Sequence, residues 1–376
     1  MSEYQYHEWQ SIDRLLTPEE QSAVNGLSSH IEVSPSRAVL TYHWSSFRHD
    51  PKKVLLQYFD AYFYLANWGS LRLMFRFPKG VLNQAEIDRY CDGEYVSFIT
   101  YGDYQVLDID LSPEDGGEWE EKADGTLSDF IHLREDLLEG DYRSLYLAWL
   151  KANNYLPDDS EDEESEEYDL KPPVPPGLQK LSPALRNFVQ VFEIDPFLVQ
   201  AAAEASPELS DPLAMNYRDL VSRLSRSEAD DFLVWLAEGD GGVRIAIRKR
   251  LSEFVPKETV QAGQPRPLQR ILKRAEQMEK AEKEHQAQEA QKRHIAEMKA
   301  LAQREPQIWK QVDDLLENGR KIASVYDETT GLLEKLKQLA DFQDTRNRFY
   351  SQVRTLASKY GSRPSLMDRW KHRGWL

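Results

Sequence analysis

The chain has one cysteine, Cys91, among its 376 residues. A lone thiol closes no internal disulfide, and no cysteine-rich metal cage can be assembled from it. A reducing, cytoplasmic setting is therefore expected. No run of 18 apolar residues occurs, so a membrane-crossing helix is not expected. The first residues, MSEYQYHEWQ, lack the basic-then-apolar layout of a secretion signal. Also missing are the phosphate-binding glycine loop, the dinucleotide fingerprint, the hydrolase nucleophile elbow and the paired-histidine zinc helix. No cofactor is expected, and no motif stands behind an enzymatic role.

What is present suffices for a real core: 40% hydrophobic and 11% aromatic residues. A chain this long is expected to divide into two or three domains. Its net charge of −17 is unevenly spread. From Lys257 onward there are 24 basic and 17 acidic side chains, against 23 and 47 before it. The last 31 residues, from Arg346, hold eight bases and one acid. Such a split reads as an interaction tail, or as a tail that contacts its own acidic body.

The first 112 residues mix strand and helix signals. Thr17-Pro18-Glu19-Glu20 and Asp50-Pro51 are helix starts. A helix from Pro51 is expected to place Val54, Leu55, Tyr58, Tyr62 and Leu65 on one face and to stop at Asn67-Trp68-Gly69. The period then changes to two along LRLMFRFP, residues 71–78, with Arg72, Met74 and Arg76 facing away from the core. YVSFITY and YQVLDIDL read as two strands joined by a Gly102-Asp103 turn. The expected class is α+β: an N-terminal α/β sandwich with a mixed sheet, then an all-helical region with a long solvated helix.

Five segments follow from these signals. Residues 1–155 form the α+β domain. Residues 156–180 form a linker, acidic through PDDSEDEESEEYDL and stiff through KPPVPPG. Residues 181–255 form a helical domain, in which Phe188, Val191 and Phe192 give one apolar face and Phe232, Leu233, Trp235 and Leu236 another. Residues 256–306 hold a break and a helix from Leu268 to Glu305. Residues 307–376 are a basic helical tail.

Few residues suggest chemistry. Asp108 and Asp110 share one strand face and are weak candidates for a divalent metal, though no lysine lies on the neighbouring strands to assist one. Gly239-Asp240-Gly241-Gly242 precedes a helix bearing Arg244, Arg248 and Arg250 and could receive an anion. The histidines His7, His43 and His49 form no recognisable catalytic arrangement. The tail is the most functional-looking stretch. There Arg346, Arg348, Arg354, Lys359, Arg363, Arg369, Lys371 and Arg373 interleave with aromatics that include Trp370 and Trp375. Cations among aromatics suit phosphate contact with base stacking. They also suit an amphipathic helix with a C-terminal anchor that docks on the body, or a surface for a protein partner.

Two resemblances add to this reading. YQYHEWQSIDRLLTPEEQ and YFDAYFYLANWGSLRLMFRFP resemble a family of uncharacterised conserved bacterial proteins, over roughly the first 180 residues. That likeness brings no activity with it. The stretch from about Trp309 to SRPSLMDRW is similar to the helical C-terminal region of bacterial proteins with SWIM zinc fingers. The finger itself needs several cysteines, so its metal site does not carry over. The resemblance implies a helical module used near nucleic acid or in the same complexes. Three functions remain open: a non-catalytic adaptor acting through its helical tail, a nucleic-acid-associated protein using the basic tail, and a metal-dependent enzyme with a site on the N-terminal sheet. The partner is an unknown protein, nucleic acid is possible, and a membrane is not expected.

Overall fold

The structure is a computed structural model that describes residues 3–112, 125–154, 172–209, 217–238, 242–254, 262–320 and 322–376. Packing divides the chain into two units, Met1–Glu279 and Lys280–Leu376.

In the first unit, strand β1 (Gln5–Gln10) precedes helix α1 (Pro18–Asn25), which Thr17 and Glu20 start with a reciprocal capping box. Strands β2 (Ile31–Val33) and β3 (Arg37–Tyr42) form a hairpin. Helix α2 (Pro51–Tyr58) is capped by the Asp50 carboxylate. A second hairpin follows, β4 (Ala61–Ala66) with β5 (Leu71–Pro78). Helix α3 (Gln84–Ile87) leads to a third, β6 (Val96–Tyr101) with β7 (Tyr104–Asp110). Gly102 takes φ +60° in its turn, as the first position of a type II′ turn requires. The helices that follow are α4 (Ile131–Leu138), α5 (Arg143–Asn153), α6 (Pro183–Val191), α7 (Pro196–Ala203), α8 (Tyr217–Val221), α9 (Arg226–Ala237) and α10 (Val243–Ser252).

The seven strands form one sheet in the order β2-β3-β1-β4-β5-β7-β6. Every pairing is antiparallel, where the sequence pointed to a mixed sheet. The reason is local: six of the strands are tight hairpin pairs, and only parallel neighbours need a long crossover. Each face is covered by helices. On one side Trp9, Ala38, Leu40, Tyr62, Met74 and Val106 pack on Val24 of α1 and on Val54 and Leu55 of α2. On the other, Phe63, Leu73, Phe75, Phe77, Phe98, Leu107 and Ile109 pack on α4 to α7. The class is α+β, with this sheet followed by a long helical region.

The stretch 61–78 is a hairpin and not a helix followed by a strand. Asn67-Trp68-Gly69 forms its turn, with Gly69 at φ +85°. A central strand buried on both faces is a short continuous apolar run, which periodicity cannot tell from a buried helix. Tyr62, Phe63 and Tyr64 in AYFYLA favour the strand.

The segment 156–180 does not separate two packed bodies. Its acidic part lies outside the described residues. Its proline part is folded into the first unit: Val174 and Leu178 are buried with α6 and α7 in the same core as the sheet. Arg143 of α5 donates to the carbonyls of Gly177 and Lys180 at 3.0 and 2.9 Å, and Tyr90 donates to that of Pro173 at 3.2 Å. Proline removes N–H groups but leaves carbonyls, and here other side chains satisfy them.

Helix α11 (Leu268–Asn318) contains Pro306, where the sequence pointed to an end at Glu305. Ile271 and Ala275 near its start are buried in the core of the first unit. Residues 280–294 are exposed, as a solvated helix would be. Past the proline, Ile308, Val312 and Leu316 are buried in the second unit, and that packing offsets the lost backbone hydrogen bond. The second unit is completed by α12 (Ala323–Phe342), α13 (Arg346–Tyr360) and α14 (Pro364–His372). Its core gathers Leu333, Leu336, Phe349, Val353, Tyr360, Leu366, Trp370 and Trp375.

Candidate interaction surface

The α2-side face of the sheet holds the residues that sequence reading singled out for chemistry. Asp108 is buried rather than solvated. Arg72 clasps it with Nε at 2.8 Å and Nη2 at 2.7 Å, and Lys52 of α2 reaches it at 2.7 Å. The lysine missing from the strands thus arrives from a helix 56 positions away. Burial works to raise the Asp108 carboxyl, but Arg72 and Lys52 outweigh it and hold it below the usual range. Arg72 also reaches Asp110 at 3.3 Å. A dication would have to displace two cations from Asp108, which with Asp110 stands in an ion-paired cluster. Among the described residues no three His, Cys, Asp or Glu side chains converge as metal ligands. Cys91 is half-buried, and burial, with Asp88 and Asp92 nearby, pushes its thiol up to about 12, which keeps it protonated.

His7 lies on the same face, stacked on Trp9 and 4.7 Å from the Tyr64 ring by centroids. Its Nδ1 is 2.9 Å from the Tyr62 hydroxyl, and its Nε2 is buried without a partner. Burial lowers its pKa to about 4, so it is neutral in the folded state. The unfolded chain binds a proton near pH 6.5 that the folded one refuses. Stability is therefore unaffected above pH 6.5 and is lost as pH falls toward 4, by up to about 3 kcal/mol. Urea unfolding of His7→Gln across this window is expected to show a flatter acid limb than the wild type. An equal slope would show that His7 is not buried neutral. His43 and His49 are exposed.

In the basic tail the aromatics are core. Trp370 and Trp375 are buried, so neither offers a stacking face. Four of the eight cations pair within the second unit: Arg346 with Asp341, Lys359 with Asp313 and Glu317, Arg369 with Asp327, and Arg373 with Glu334. Arg363 lies over the Tyr360 ring at 4.9 Å. Arg348, Arg354 and Lys371 are exposed and carry no ion pair among the described residues. Sequence could not separate these roles, because the acids that take up the cations come from α11 and α12.

Arg244, Arg248 and Arg250 are likewise engaged. Arg244 and Arg248 both hold Glu135 of α4, and Arg250 pairs with Glu228 at 2.7 Å. Gly239, Asp240 and Gly241 lie outside the described residues. These arginines have a structural consequence: they fix α10 against α4 and α9 against α10. Arg223 adds a bond to the Phe254 carbonyl at 3.0 Å, so α8 to α10 form a small helical group.

Helix α9 stands out within that group. Ser225 caps it and Glu228 closes the box, so its start is well defined. Yet none of its residues is buried. Leu233 and Leu236 are each 61% exposed, Val234 52% and Trp235 43%. Ala229, Phe232, Leu233 and Leu236 follow the i, i+3, i+4, i+7 spacing of one face. Phe232 and Trp235 meet edge-on at 5.8 Å. A helix apolar on most of its circumference is ordinarily buried, and scattered exposure is normal only for single residues. Sequence reading found this face but assigned it to a bundle core. Nothing local to α9 distinguishes a face that meets its own fold from one that does not.

No protein-family model, curated protein or solved structure matches the chain. Among the described residues no helix is long and apolar enough to cross a membrane.

Proposed function

We propose that this protein is a cytoplasmic adaptor that binds another protein through α9. The observation that carries the reading is the uncovered apolar face of α9, held in place by the arginine pairs of α10. Such faces act as helix-in-groove ligands, with anchors at i, i+3, i+4 and i+7. The tail, where the sequence first put the contact, is the less supported surface. Trp370 and Trp375 are enclosed and half of its eight cations are ion-paired. The nucleic-acid reading keeps Arg348, Arg354 and Lys371 as its basis.

Leu233→Glu with Leu236→Glu tests the adaptor reading. Both side chains are exposed, so the double variant is expected to unfold within about 0.5 kcal/mol of the wild type. Tagged full-length chains would be recovered from the native host with and without nuclease. The wild type is expected to retain a nuclease-resistant protein that the variant loses. A nuclease-sensitive partner retained equally by both chains would overturn the reading in favour of the tail.

A further inference from the structure

We infer that the first unit binds a small dianion, a phosphate-bearing or dicarboxylate molecule, in the cleft between the end of α7 and the start of α11. This site lies apart from α9 and goes beyond the adaptor reading. The cleft has a volume of about 470 Å³, within the usual range of small-molecule sites. Local contacts build it. The Gly263 amide donates to the Val174 carbonyl at 2.8 Å, in an isolated antiparallel bridge. A Cβ on residue 263 would stand 2.7 Å from the Ala205 carbonyl oxygen, so only glycine lets this stretch come so close to the end of α7. Arg266 then donates from Nη1 to the Ala201 carbonyl at 3.1 Å, which satisfies one of the last carbonyls of that helix.

Charge selects the ligand. Arg266 and Arg270 line the cleft, and neither has an ion pair among the described residues. The bond of Arg266 goes to a neutral carbonyl and leaves its charge uncompensated. Glu204 is the one acid lining the cleft among the described residues. Arg274 clasps it, with Nε at 2.9 Å and Nη2 at 2.6 Å from Oε1, and holds its carboxyl below the usual range. Three guanidinium groups against one carboxylate leave a surplus of two positive charges, which a dianion matches. Guanidinium forks suit the paired oxygens of a phosphate or carboxylate, and the Gln264 amide at the same cleft can donate to another. Pro265 and Pro267 give the carbon body of a ligand an apolar wall. An extended polyanion is disfavoured, because the chain before Lys257 carries 47 acids against 23 bases and repels it.

The test is isothermal titration calorimetry of the full chain with inorganic phosphate and, separately, with succinate. Ionic strength is held constant with sodium chloride, at a pH where both probes are dianions. At least one probe is expected to bind saturably, at one site per chain. Arg270→Gln is expected to weaken that binding about tenfold, the loss of one charged donor. Because Arg270 is exposed and unpaired, this variant should keep the wild-type urea midpoint. Lys273→Gln removes the same charge from α11 outside the cleft and should leave binding unchanged. Phosphate binding alone would assign a phosphate-bearing ligand, succinate binding alone a dicarboxylate, and binding of both the shared charge. If neither probe saturates, or if Arg270→Gln binds as the wild type does, the inference is overturned. An equal loss in Lys273→Gln would overturn it too, since the effect would then be one of general charge and not of the cleft. None of these outcomes touches the adaptor reading.

Discussion

Trp370→Ala is expected to destabilise the second unit by about 3–5 kcal/mol, the cost of emptying a large aromatic site that cannot collapse. Trp370 is fully buried within a cluster that includes Phe349, Tyr360, Leu366 and Trp375. The chain after α14 folds back, with the Trp375 amide donating to the Trp370 carbonyl at 3.0 Å. Phe349 meets Trp375 edge-on at 5.9 Å, so one truncation loosens several packed rings. The Trp370 indole N–H has no acceptor in this core, and Trp370→Phe is therefore expected to recover much of the loss. Lys371→Ala, one position on and exposed, should stay within about 0.5 kcal/mol of the wild type. The measurement is urea unfolding followed by far-ultraviolet circular dichroism. With two units in the chain, the shift is sought in one transition and not in a single overall midpoint. An unchanged profile for Trp370→Ala would mean that the indole is a surface platform, as a base-stacking role would require.

The same residue shows where sequence reading stops. Caps are local, and they were legible: Thr17 with Glu20 and Asp50 with Pro51 begin helices where the spacing placed them. The Gly102 turn was legible for the same reason. The three-residue strand β2 passed unseen because it is too short to show a period. Pairings between distant segments were not legible. Lys52 on Asp108, Glu135 between Arg244 and Arg248, and Asp313 under Lys359 each join charges that lie far apart in the chain. For α9, composition gave the apolar face correctly and its environment wrongly. The amphipathic pattern that makes a helix bury against its own fold also makes it bury against a partner.

Arg134→Met is the second large effect expected, again about 3–5 kcal/mol, because it strands the largely enclosed Asp13 carboxylate. Arg134 of α4 is wholly buried and holds Asp13 with both terminal nitrogens, at 3.1 and 2.6 Å. It also donates to the Arg76 carbonyl, from Nε at 3.2 Å, and lies 5.1 Å over the Phe77 ring. Asp13 is tied in turn to a second buried pair. The Asp60 carboxylate accepts the Ile12 and Asp13 amides at 2.7 and 2.9 Å and the Arg76 guanidinium at 2.7 Å. The network joins the loop after β1, the start of β4, strand β5 and helix α4. Removing one charge is worse than removing both, since a neutral pair leaves no uncompensated ion. Arg134→Met with Asp13→Asn is thus expected to be more stable than Arg134→Met alone, despite carrying one more change. Urea midpoints of the wild type, the two single variants and the double variant close a cycle that isolates the coupling. Should the double variant lose as much as the two single losses added together, Asp13 reaches water once Arg134 is gone. The pair would then pin the loop after β1 to α4 without holding a charge that the interior cannot tolerate.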